Sequence, residues 1–210
     1  MSDATVTFYS NPRSRGRTIH WMLEEVEAPY DVKLLRFDKG EHKTPEFLAL
    51  NPMGKLPTIV HRGVVVTESP AICAYLADAF PAAKLAPAVD SAERGAYYRW
   101  LFFGNGCLET AMVDKGLNRP EVERKGALGY GSFGDTINTL EQALSQGPYL
   151  LGEHFTAADV FMGSALGWGA MVGTIEPGKV FGAYLARLTE RPAYKRAQEK
   201  LAELSKQLEG

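Results

Sequence analysis

The stretch that decides the reading runs from Asn51 to Ile72, NPMGKLPTIVHRGVVVTESPAI. Pro57 opens a short β-branched run, Thr58-Ile59-Val60, and the turn His61-Arg62-Gly63 leads to a second run, Val64-Val65-Val66-Thr67. Two such runs joined by a glycine-containing turn predict a hairpin. Glu68-Ser69-Pro70 follows, and serine at an N-cap with proline at the first helical position predicts a helix start. Ile72, Tyr75, Leu76, Ala79 and Phe80 then recur at helical spacing.

This segment offers a place for a small peptide. A proline at the first residue of a strand leaves the backbone before it outside the ladder. Leu56 is therefore expected to offer its N–H and C=O to an extended ligand, as an added strand does. The helix beginning at Ser69 aims free N–H groups and a positive dipole end outward, which suits a carboxylate. Glu68 beside it suits an ammonium, so the two together suit the charged end of an α-amino acid. Each piece alone has a plainer explanation, an ordinary cap or a solvated carboxylate; the combination is more specific. It closely resembles the glutathione-binding half of the cytosolic glutathione S-transferases, where an NPxGxxP segment and an ES pair lie one hairpin apart. The resemblance implies a cis Leu56–Pro57 bond, a form taken by only ~5–6% of X–Pro bonds in folded proteins.

Composition narrows the class. A chain of 210 residues makes one or two domains, and 45% hydrophobic with 23% charged residues is ordinary for a globular protein. A formal net charge of −2 gives no case for nucleic acid or an acidic membrane. Cys73 and Cys107 are the only cysteines, in neither CxxC nor metal-ligand spacing, so no disulfide framework and no metal site are expected and a reducing compartment fits. The opening MSDATVTFYSNPRSRGR lacks the apolar core of a signal peptide. No run of about 18 apolar residues marks a membrane span. A cytoplasmic location is expected.

Along the chain, Val6-Thr7-Phe8-Tyr9 predicts a strand, and Ile19, Met22, Leu23 and Val26 a helix with one hidden face. Tyr30, Val32 and Leu34 alternate with polar residues as a second, parallel strand. Glu46 to Leu50 is expected to be a short helix before the hairpin. The order βαβ, α, ββα is that of a thioredoxin-like domain, assigned to residues 1–81. The segment 82–90, within PAAKLAPAVDS, is the expected linker. Residues 91–210 are expected to form an all-helical domain, so the fold class is α/β followed by all-α. Its first long helix is marked by Tyr97, Trp100, Leu101, Leu108 and Met112, with Gly104 and Gly106 weakening its middle. A second after Pro120 carries Phe133, Ile137, Leu140 and Leu144. Thr156 and Asp159 fit a capping box, a folding device, and the segment also resembles the FTxAD stretch of the transferases. Two further helices carry Phe181, Leu185 and Leu188, then Tyr194, Ala197, Leu201, Leu204 and Leu208.

The resemblance covers essentially the whole chain and implies a transferase that activates the thiol of glutathione, as co-substrate, for conjugation to a small apolar electrophile. A free thiol has a pKa of ~8.5, so little of it is ionised at neutral pH. A positioned hydroxyl and a nearby guanidinium lower that value, and the loop Tyr9 to Arg17 supplies both types. Counted from the shared proline, Ser14 matches the activating serine of the serine-type classes. Counted back from the first helix, Tyr9 matches the tyrosine of the tyrosine-type classes. Ser14 is favoured, with Arg15 as auxiliary; a plain cap for Ser14 and a packed aromatic for Tyr9 remain open. Gly40-Glu41-His42-Lys43 resembles the GEHK loop of the phi class and its bacterial relatives, which implies that His42 and Lys43, helped by Lys55, approach the glycine carboxylate. The bacterial, serine-type, phi-, theta- or beta-like classes are the nearest pattern, and with no cysteine in the activating loop the cysteine-type mechanism is excluded. The electrophile is expected between the domains, beside Trp100, Phe102, Phe103, Cys107 and Met112, which serve equally as helix core. Two other readings stand beside this one: glutathione-dependent peroxide or disulfide reduction, and a non-catalytic ligand carrier. A homodimer is implied by the family alone.

Overall fold

Buried Val6, Phe8 and Ser10 alternate with half-buried Thr7 and Tyr9, so strand β1 (Val6–Ser10) has covered side chains on both faces and sits inside the sheet. The computed structural model describes residues 5–120 and 122–209. Helix α1 (Gly16–Glu25) carries the chain to β2 (Tyr30–Leu34), which pairs with β1 in parallel. Helix α2 (Pro45–Leu50) is capped by Thr44, whose hydroxyl accepts the Phe47 N–H. Strands β3 (Thr58–His61) and β4 (Val64–Thr67) form the expected antiparallel hairpin, and β3 also pairs antiparallel with β1. The turn residues Arg62 (φ 51°) and Gly63 (φ 75°) both take positive φ, the mirror-image turn that matches strand twist. The sheet order is β2-β1-β3-β4, followed by helix α3 (Ser69–Ala79).

One expected detail shifts here. Ser69 is the first helical residue and Pro70 the second; Glu68 occupies the N-cap and makes no side-chain cap bond. The Ser69 hydroxyl therefore does not cap its own helix, because the sharp turn is taken up by Glu68 at φ 65°.

The described residues group into two units, one holding the chain up to Leu85 together with the segment from Glu190 on, the other Ala86–Thr189. In the second unit, α4 (Glu93–Phe103) and α5 (Thr110–Gly116) are joined by a π-helical stretch, Gly104–Glu109. The expected single helix thus changes pitch where its glycines lie. Helix α6 begins at Phe133, well after Pro120, with Ser132 as N-cap. Helix α7 (Ala157–Met171) opens on the expected capping box, and α8 (Gly178–Thr189) follows. The fully buried Asp159 accepts N–H bonds from Thr156 (2.9 Å) and Leu150 (2.9 Å) and the hydroxyl of Tyr184 (3.0 Å). Burial raises its pKa against the pull of these bonds.

The terminal helix α9 (Pro192–Glu209), expected within 91–210, groups instead with the thioredoxin-like unit. Ala193, Ala197 and Leu201 form its buried stripe. Charge fixes what that stripe covers. Arg191 grips Glu25 through Nε (2.6 Å) and Nη2 (2.7 Å), while Arg196 and Lys200 reach Glu24 at 2.8 and 2.6 Å. Trp21 donates its indole N–H to Glu25, and the Tyr30 hydroxyl donates to Glu24, both at 2.8 Å.

Candidate functional site

Register brings four loops to one end of the sheet. Ser10 pairs with Leu34, Tyr9 with Thr58, and Thr58 with Thr67. The segments after β1, after β2, before β3 and after β4 therefore leave from a common edge. Every thiol- or glutathione-binding residue expected from the sequence lies on β1 or on one of these segments; the residues expected to meet the electrophile lie on α4, α5 and the π-helical stretch that joins them.

After β1, Asn11 is 2% exposed and donates its side-chain N–H to the Leu35 carbonyl (2.7 Å) while accepting the Arg13 N–H (2.8 Å). It ties this loop to the one after β2. Ser14 donates its hydroxyl to the Asn11 carbonyl (2.7 Å) and accepts the Gly16 N–H (3.0 Å). It satisfies one of the donors that a helix start leaves open, although Arg15, exposed, holds the formal N-cap position. Tyr9 alternates with Phe8 and Ser10 on β1, and its ring stands 5.6 Å from Phe47 of α2.

After β2, Glu41 accepts the Arg36 N–H at 2.7 Å and opens a turn of 3-10 helix, Glu41–Lys43. The His42 ring stands edge-on to Phe37 at 4.9 Å, and its Nδ1 is buried with no partner among the described residues. Lys43 donates to the Met53 carbonyl at 2.9 Å, so the second loop holds the third. Gly54 (φ 58°) lies under that bridge: a Cβ there would stand 2.6 Å from Lys43 Nζ and 2.8 Å from the His42 carbonyl oxygen.

The segment before β3 is built around Asn51, 3% exposed. Its side chain donates to the Lys55 carbonyl (2.9 Å) and to Thr58 Oγ1 (3.2 Å) and accepts the Met53 N–H (3.1 Å). The loop ends in a cis Leu56–Pro57 bond. The Leu56 N–H and C=O make no hydrogen bond among the described residues, and Leu56 lies outside the β3 ladder. After β4, Glu68 adopts φ 65°, ψ 117°, a strained region for a residue with a Cβ. Exposed Glu68 and Lys55 have no ion-pair partner among the described residues. Ser69 is 6% exposed, and its hydroxyl has no partner among them either. The arrangement presents, within one unit, an open peptide edge, an unpaired carboxylate, a free hydroxyl at a helix start and a loop bearing hydroxyls and guanidinium groups.

Three organisers escaped the sequence reading: Asn11, Asn51 and the buried pair Ser10–His20. Asn-Pro at 11–12 and 51–52 was the available signal, since asparagine before proline favours turn initiation. For His20 the signal was its place on the hidden face of α1. Its Nε2 lies 3.3 Å from Ser10 Oγ. Burial, seconded by the Lys200 charge and opposed by Glu24, pulls its pKa from 6.5 down to about 4.

Comparison with known proteins bears on this geometry. Residues 4–78 match the family model for the glutathione S-transferase N-terminal domain, and residues 120–187 that for the C-terminal domain. Glutathione S-transferase A of Pleuronectes platessa is 33% identical over 204 residues, 92% of this chain and 90% of its own. Among solved structures, a sphingomonad glutathione S-transferase complexed with glutathione superposes with a TM-score of 0.76 at 29% identity, covering 93% of this chain and 98% of that one. A glutathione transferase family member from Pseudomonas fluorescens, solved with two glutathione bound, gives 0.75 at 26% identity, with 94% and 93% covered.

Proposed function

The chain belongs to the glutathione S-transferase family, and from that premise we propose that it ionises the thiol of glutathione at the loop-bearing edge of the sheet and transfers it to a small apolar electrophile. The observation that carries this reading is the open Leu56 main chain beside the cis Pro57, at the same edge as the unpartnered Ser69 hydroxyl. The cysteinyl residue of the tripeptide adds to Leu56 as a short strand. Its γ-glutamyl end is held by Ser69 and the start of α3 through the carboxylate and by Glu68 through the ammonium. His42, Lys43 and Lys55 face the glycine carboxylate.

Ser14 is the proposed thiol partner, with Arg15 supplying positive charge. Its hydroxyl leaves the Asn11 carbonyl and donates to the sulfur, keeping the Gly16 N–H as its own donor. The exchange is favourable because a hydrogen bond to an ion is roughly twice as strong as a neutral one. The thiol proton is released to solvent, the thiolate pair forms the new C–S bond, and the pair of the bond broken at that carbon leaves with the leaving group or, in an epoxide or isothiocyanate, stays on the product's oxygen or nitrogen. Tyr9 is the weaker candidate: its ring packs on the α2 side of the sheet. Half-buried Phe103 and Cys107 and exposed Phe102 are the apolar groups offered to the second substrate. Trp100 and Met112 are buried. Both cysteines are free thiols, which supports a reducing, cytoplasmic setting, and the family supports a homodimer, checked by solution sizing.

The test is a glutathione titration by calorimetry, followed by turnover with halogenated aromatics, epoxides, isothiocyanates and hydroperoxides. Saturable binding and conjugation of at least one carbon electrophile are expected. Turnover confined to hydroperoxides overturns the conjugation reading, and absence of binding overturns the whole assignment.

A further inference from the structure

The mechanism above leaves one buried polar pair without a task. Ser10, the last residue of β1, and His20, on the second turn of α1, are each 0% exposed. They meet at 3.3 Å, Oγ to Nε2. Two aromatic edges fix the imidazole: Phe8 at 4.7 Å and Tyr30 at 6.2 Å between ring centroids. Its Nδ1 is buried and has no partner among the described residues. A buried polar pair of this kind costs desolvation that a pair of apolar side chains does not, so its placement calls for a reason.

Gly16 supplies that reason. A Cβ built on Gly16 would fall 2.3 Å from Ser10 Oγ and 2.9 Å from Ser14 Oγ. The first residue of α1 is therefore wedged between the two serine hydroxyls. Gly16 is also the residue whose N–H the Ser14 hydroxyl accepts. His20 lies four residues further along the same helix, hence on the same face one turn on. Strand β1, the first turn of α1 and the Ser14 hydroxyl are thus linked in series through Ser10 and His20.

We infer that Ser10 and His20 are positioning residues for the thiol site: their hydrogen bond clamps the end of β1 to the second turn of α1, one turn beyond Gly16, and so sets where the Ser14 hydroxyl points. With His20 neutral, the tautomer carrying hydrogen on Nε2 donates to Ser10 and leaves only a lone pair unpartnered at Nδ1. Ser10 needs to be no larger than serine, because Gly16 rests directly on its oxygen. Neither residue touches the tripeptide; they act through Gly16 and Ser14, so this inference rests on the functional reading above.

The test is the titration of enzyme-bound glutathione, followed by thiolate absorbance against pH, with kcat and KM measured alongside. His20→Phe keeps the ring against Phe8 and Tyr30 and removes the donor. It is expected to lower kcat about three- to tenfold, the scale of one hydrogen bond, and to raise the thiol titration by about half to one pH unit. The KM for glutathione is expected to stay within about twofold. His20→Gln, whose amide nitrogen reaches the Nε2 position, restores most of the loss. Gly16→Ala, which drives a methyl onto Ser10 Oγ, produces the same shift, and the shift shrinks in a Ser10→Ala background. Should His20→Phe not fold, Ser10→Ala alone, the loss of one oxygen, gives the same reading. Folded His20→Phe or Ser10→Ala protein with an unmoved thiol titration overturns the inference. Wild-type protein that shows no thiolate with glutathione instead removes the functional reading, and the clamp's role with it.

Discussion

Two regions of the thioredoxin-like unit are rich in polar side chains and put them to opposite use. Along the α1–α9 seam each ionic group named is answered: Glu24 by Arg196, Lys200 and Tyr30, Glu25 by Arg191 and Trp21. At the loop-bearing edge of the sheet, Glu68, Lys55, the Ser69 hydroxyl and the Leu56 main chain have no partner among the described residues. Hydrogen bonds are plentiful there too, but Asn11 and Asn51 spend them on shaping loops. A seam that is saturated holds a structure together; an edge that is braced and left unsaturated can hold something else.

The sharpest way to separate the two regions is to damage the seam. Arg191→Ala removes both hydrogen bonds to Glu25, whose side chain is 5% exposed. Losing one partner of a fully buried pair costs about 3–5 kcal/mol; with Arg191 part-exposed and Trp21 still donating to Glu25, about 3 kcal/mol is expected. The expected result is a urea midpoint lowered to match, with unchanged kcat for the molecules that remain folded. A drop in kcat at constant stability would show that the seam reaches the chemistry.

Acid provides the next largest effect. Unfolded His20 takes up a proton near 6.5, the folded residue only near about 4. Between those values the unfolded chain binds more protons, so stability falls as pH drops through that window. The loss from this one group amounts to about 3 kcal/mol. His20→Phe is expected to flatten the stability curve between pH 6.5 and 4 relative to wild type, measured by urea unfolding at each pH. Parallel curves would mean the imidazole is not held neutral.

How much of this was legible beforehand follows the same division. The βαβ-α-ββα order announces itself locally, through turn chemistry and β-branched runs, whereas Pro57, Glu68 and Ser69 stand out as a set only through the resemblance of the NPxGxxP and ES segments to the transferases. The seam does not. The stripe Tyr194, Ala197, Leu201 shows that α9 buries a face but carries no sign of what it covers. Glu24 and Glu25 read as ordinary helix charges, because their cationic partners lie more than 160 residues away. The spacing of Phe133, Ile137, Leu140 and Leu144 shows helix α6 but not its first residue, which the Ser132 cap sets. At the site itself, the choice between Ser14 and Tyr9 stayed open because strand alternation does not say which face carries a ligand. The structure adds that the Tyr9 ring is packed against Phe47, the ground on which Ser14 is proposed.

That preference is tested inside the unsaturated edge. Ser14→Ala is expected to lower kcat about 10- to 100-fold, the span of a hydrogen bond to a charged group, while glutathione affinity changes little. Tyr9→Phe is expected to leave kcat within about twofold. The reverse pattern would move the activating role to Tyr9 and strip Ser14 to a cap.

The smallest effect concerns Lys43, which stands between the two uses of polarity. The family pattern sends it to the glycine carboxylate, yet its ammonium here donates to the Met53 carbonyl and closes over Gly54. Lys43→Met is expected to raise the KM for glutathione by up to about fivefold, as exposed charge pairs are worth little. Glutathione esterified at its glycine carboxylate tells the two roles apart. If Lys43 pairs with that carboxylate, the variant and wild type handle the ester alike. If Lys43 serves by holding the Met53 loop, the rise persists with the ester, and the residue belongs with Asn51 among the groups that shape the edge rather than those that meet the ligand.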